Sequence, residues 1–147
     1  MVERLAAQYR ERLPLIDGAP EAVERLGARW PLGLASSSNR PIIDLFLQSS
    51  GLASHFAVTL SSEEVARGKP APDVYLAAAE ALGAEPGKVA AIEDSDNGIR
   101  AGRAAGMRVI AIPNPDYPPD PDALAAADLL LDSLVELTPA VVDGSRP

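Results

Sequence analysis

The sequence contains no cysteine. Disulfide staples and thiolate zinc sites are therefore excluded. Aromatic residues are scarce at 4%, so leucine, valine, isoleucine and alanine must build the core. Basic residues are in the minority: 13 Lys+Arg stand against 21 Asp+Glu, a net charge of −8. With no basic stripe, nucleic acid and anionic membrane surfaces are poor partners. No apolar run approaches the roughly 20 residues that span a bilayer, and no signal-peptide core opens the chain. These absences fit a cytoplasmic protein. The one histidine, His55, precedes Phe56 at a strand entry and reads as structural or surface. What remains is 147 residues, 47% hydrophobic and 23% charged, which suffices for one globular domain with a real core.

Helical and strand patterns alternate along the chain. Leu5, Tyr9 and Leu13 stand four apart and predict a helix over 1–13. PLIDGAP (14–20) reads as a turn before a short helix over 20–28. Strands are expected at 31–35, 57–60, 88–92, 107–112 and 127–131, and helices near 41–50, 73–82 and 97–106. Five prolines between 113 and 122 predict an irregular loop, SLVEL a last helical turn, and 138–147 a loose tail. This order predicts a parallel α/β sheet with crossover helices, whose ligands bind beyond the carboxyl ends of the strands.

Three strand ends carry chemistry. Ser36, Ser37, Ser38 and Asn39 follow the first expected strand, where a hydroxyl and the amides opening a helix suit an anion, or simply cap the helix. Lys69, in GKPAP, precedes the helix at 73 and opposes its dipole, which suggests that an anion is expected there; otherwise it is a solvated surface lysine. Glu93 and Asp94 end the strand at 88–92. A hard cation such as magnesium prefers carboxylate oxygens, while a plain capped turn is the simpler alternative. A calcium loop fails on spacing, because Gly98 comes one position early and the twelfth position is Ala105.

In this order and spacing the motifs resemble those of the haloacid dehalogenase superfamily, in the branch of phosphoglycolate phosphatase and β-phosphoglucomutase. GLASSSN, GKPAPDVYLAAAEALG and AIEDSDNGIRAGRAAGM carry the likeness, which runs from about residue 14 to 137. The resemblance implies a three-layer, doubly wound parallel sheet. It also implies that Ser36 and the Ser37 amide bind phosphoryl oxygens and that Lys69 neutralises the phosphoryl group. Asp94, with Glu93, would hold Mg²⁺, and Asn39 would contact substrate. Lys69 and Asp94 are then the catalytic residues of a phosphatase that works through an aspartyl-phosphate on a sugar phosphate, phosphoglycolate or similar small metabolite.

The family's first motif, a strand ending in D-x-D-G that supplies the nucleophile and the general acid, has no counterpart at any strand end here. The nearest candidate, Asp17-Gly18, would place Leu15 at the first aspartate position or Ala19 at the second, and reads as a turn. By this resemblance residues 1–13 are a remnant of a cap or linker, 14–137 a partial core domain and 138–147 a tail. The core lacks its first central strand and most of its cap. That strand belongs between the strands of GLASSSN and AIEDSDNG, so its absence predicts exposed ladder groups on both sides of a gap. A second chain or a swapped copy is one way to fill it, a truncated start another. The chain alone is then expected to be inactive. A mutase, or a non-catalytic phosphate-binding or assembly module, are the alternatives. A receiver domain fits poorly, since its acidic pair belongs after the first strand.

Overall fold

The computed structural model describes residues 18–144. The helix expected over 1–13, the turn residues 14–17 with Asp17, and the last three residues lie outside these. Helix α1 (Ala19–Gly27) starts from Gly18, whose φ of 85° is left-handed. It leads to β1 (Gly33–Ser36), α2 (Arg40–Ser50), β2 (Val58–Ser61) and α3 (Asp73–Leu82). Then come β3 (Ala90–Glu93), α4 (Asp96–Ala104), β4 (Arg108–Ala111), α5 (Pro121–Ala125), β5 (Leu129–Leu130) and α6 (Pro139–Val142). Every strand pairing is parallel. Alternation of strand and helix with parallel pairing is the doubly wound α/β architecture that the sequence predicts.

The expected gap is present. Among the described residues the five strands form two sheets, β1-β2 and β3-β4-β5, rather than one. β1 pairs with β2 on one edge, from Gly33 opposite Val58 to Ser36 opposite Ser61. β3 pairs with β4, from Ala90 opposite Arg108 to Glu93 opposite Ala111. The other edges of β1 and β3 border an apolar slot of about 590 Å³. Leu34 and Ala35 line it from β1, Ala91 and Ile92 from β3, with α1 and α3 closing its two faces.

Side chains alternate across the strands, as a period of two requires. Ala90 and Ile92 pack with Leu26, Ile110, Leu131 and Leu137 on the face of α1. Ala91 packs with Val74, Tyr75 and Ala79 of α3 and Ala101 of α4 on the other. Val74 and Ile110 are fully buried in these two clusters, and the equally buried Ile99 and Val109 form a third with Ala111 and Leu124 of α5.

Two expectations need correction. Residues 138–144 are not a loose tail: Thr138 accepts a hydrogen bond from the Val141 amide and caps α6, while Leu137 and Val141 are buried against α1 and β4. Arg25 also donates to the carbonyls of Leu134 and Leu137, tying this end to α1. The proline loop is shorter than read, because Pro121 opens α5, a position where proline is favourable.

Candidate active site at the strand ends

The structure brings the predicted residues to one end of the sheets. β1 ends at Ser36, whose Oγ accepts from the Ser38 amide at 3.1 Å and so holds the turn tight. Ser61, at the end of β2, is fully buried; its hydroxyl donates to the Ser38 carbonyl at 2.7 Å and accepts from the Glu63 amide. This brace on the serine turn is a residue that sequence reasoning missed, since a serine closing a strand carries no distinctive pattern. Asn39 is the N-cap of α2: its Oδ1 accepts from the Ile42 amide at 3.1 Å. The next residue, Arg40, donates to Glu64 and Thr59, and its bond to the Glu64 carboxylate holds its guanidinium pKa above the ordinary value.

Lys69 lies in the loop before α3, where its peptide to Pro70 is cis. Its side chain is only 8% exposed. The ammonium donates to the Ala35 carbonyl at 3.1 Å, at the end of β1, and to Glu93 Oε1 at 2.7 Å, at the end of β3. Lys69 therefore spans the seam between the sheets. An ammonium has three protons, and these two bonds use two of them.

Glu93 is the last residue of β3 rather than the first beyond it, so its side chain points into the α3–α4 layer. Its Oε1 takes the Lys69 ammonium and also the Tyr75 hydroxyl. Tyr75 is a further residue that the sequence did not mark as functional. It lies two positions into α3, and only the placement of Glu93 reveals its partner. Its ring also sits 4.9 Å beneath the ammonium. Burial, and then the neighbouring Glu93 charge, push the Tyr75 phenol well above the ordinary tyrosine range.

Asp94 follows at the start of the β3–α4 turn, beside Ser95, which caps α4 by accepting from the Gly98 amide. Asp94 borders a second cleft of about 610 Å³, shared with Asp116 and Asp132. The described residues contain no group of three side chains that could hold a metal ion. Asp94 suits one ligand of a magnesium ion, which often needs only one or two carboxylates beside water and substrate oxygens. Glu93, held by Lys69 and Tyr75, is a buried counter-ion in the described contacts.

A family model described as haloacid dehalogenase-like hydrolase matches residues 2–106. The chain belongs to that family. It is 39% identical over 143 residues to hexitol phosphatase B of Escherichia coli strain K12, covering 94% of this chain and 64% of that protein. It is 35% identical to the bifunctional riboflavin kinase/FMN phosphatase of Arabidopsis thaliana, over 90% of this chain and 35% of that one. Among solved structures, CbbY from Rhodobacter sphaeroides in complex with phosphate superposes with a TM-score of 0.86 at 32% identity, covering 97% of this chain and 65% of that one. The chain thus spans about two thirds or less of the length of these relatives. No helix among the described residues is long and apolar enough to cross a membrane.

Proposed function

We propose that the chain forms the phosphate- and cation-holding part of a magnesium-dependent phosphatase acting on a small phosphorylated metabolite, a sugar phosphate before others. The observation that carries this reading is Lys69, a nearly buried ammonium with one proton to spare, set between the ends of β1 and β3 beside the serine turn. A phosphate dianion there would accept from Lys69, from the Ser36 hydroxyl and from the amides opening α2, an arrangement that helix N-termini favour. The names of hexitol phosphatase B and of CbbY in complex with phosphate support this ligand class.

Phosphoryl transfer depends mainly on positioning and on neutralising charge. Lys69 offsets charge on the phosphoryl oxygens, and Ser36 orients them. Asp94 would hold the magnesium ion, which supplies further neutralisation when bound. In this reading Ser36 is engaged in orienting the phosphate and Asp94 in holding the cation, so the phosphoryl acceptor is assigned elsewhere. The nucleophile, an aspartate passing the group to water, would come with a strand seated in the slot between β1 and β3. A strand of four residues spans about 13 Å and pairs on both sides, so it would satisfy both open edges. This strand would be supplied from outside these 147 residues, by a further segment of the protein or by a second chain.

The test is binding of inorganic orthophosphate to the chain with Mg²⁺, by calorimetry. Binding that weakens at least about tenfold in Lys69→Met and in Ser36→Ala supports the reading. Binding indifferent to both substitutions sinks it.

A further inference from the structure

Gly98 lies in the first turn of α4, and its backbone has no need of a positive φ. What it provides is space. A Cβ at position 98 would overlap the Glu93 carboxylate, closing on Oε2, on the carboxyl carbon and on Oε1. Such an overlap is harmless where a long side chain can swing aside. Glu93 cannot do so at no cost: its side chain is 8% exposed, and Oε1 is held by both the Lys69 ammonium and the Tyr75 hydroxyl.

Resting on the phosphatase reading for its use, we infer that Tyr75 and Gly98 are positioning residues which clasp Glu93 and thereby aim the Lys69 ammonium. Tyr75 fills the second acceptor direction of Oε1 from α3. Gly98 opens a pocket for the other end of the carboxylate at the start of α4, where the helix dipole favours an anion. With Glu93 clamped from both helices, the ammonium is held between Glu93 and the Ala35 carbonyl, which would leave its third donor for a ligand at the serine turn. Neither residue would touch the phosphate.

Helix propensity and the clasp make opposite predictions for Gly98→Ala. Alanine is the better helix former, so propensity alone predicts stabilisation. The clasp predicts a fall in melting temperature of at least about 5 °C, because the methyl group displaces a buried carboxylate. Glu93→Asp draws the carboxylate back by one methylene and keeps its charge. In that background the same Gly98→Ala change should cost little or nothing, a coupling that a double-mutant cycle reads directly. A second readout is the ¹H–¹⁵N signal of the Lys69 ammonium, which is visible only when its protons are shielded from solvent exchange. It should be present in the native chain, lost in Gly98→Ala, weakened in Tyr75→Phe and restored in Gly98→Ala combined with Glu93→Asp. A Gly98→Ala chain that is more stable, or one that loses the same stability in both backgrounds, overturns the clasp. Should the coupling hold while orthophosphate affinity stays unchanged in all variants, the clasp stands and the phosphate reading falls.

Discussion

Lys69→Met tests whether the strand-end pair lies in a low-dielectric site. Lys69 and Glu93 are each 8% exposed and meet at 2.7 Å. Methionine keeps most of the stem volume and removes the charge. Glu93 then stays buried with only the Tyr75 hydroxyl to satisfy it. Removing one partner of a buried pair costs about 3–5 kcal/mol. At about 3–4 °C per kcal/mol for a chain of this size, the melting temperature should fall by roughly 9–20 °C. Neutralising both members behaves differently, because no charge is left stranded. Lys69→Met with Glu93→Gln should lie within about 1–2 kcal/mol of the native chain. Urea denaturation at pH 7, followed by circular dichroism and by fluorescence of the single tryptophan, Trp30, gives both numbers. A single variant that loses under about 1 kcal/mol would mean the pair behaves as an exposed ion pair. A double variant no better than the single would mean that lost packing, not a stranded carboxylate, is the cause. Either result refutes the reasoning.

Two further outcomes follow from the same contacts. Tyr75 has its ionisation pushed up mainly by burial, so the unfolded chain ionises first as pH rises. Its contribution to stability is full below about pH 10 and is lost above it, at up to about 1.4 kcal/mol per pH unit, and Tyr75→Phe should flatten that alkaline slope in urea titrations. Asn39→Ala removes the cap of α2 and should cost about 1 kcal/mol by urea denaturation, whereas Asn39→Ser should keep most of it.

The sequence made much of this architecture legible. The helix read over 73–82 is α3 to the residue, because Pro72 precedes it and Gly83, at φ 71°, ends it. The strand ends shifted by one or two residues, since short apolar runs carry no sharp boundary signal. That shift matters at Glu93: as the last strand residue it turns inward to Lys69, whereas a residue beyond the strand would have stood beside Asp94. The seam was readable as well, because the order of motifs left no segment for the strand between β1 and β3. Tyr75, Gly98 and Ser61 were not readable as site residues. Each acts through a contact with a residue more than 4 positions away in the chain, and no local pattern encodes such a meeting. The capped helix α6 was hidden for a different reason: Thr138 followed by Pro-Ala-Val-Val is too short to show a period.

We propose that these strand ends bind phosphate and magnesium and that the attacking carboxylate comes from outside them. Hydrolysis of p-nitrophenyl phosphate with Mg²⁺, by the native chain and by Lys69→Ala, tests it most directly. The account predicts no release above buffer for either. Turnover by the native chain that requires Mg²⁺ and vanishes in Lys69→Ala would contradict it, and would place a nucleophile within these 147 residues, with Asp17 the first to substitute.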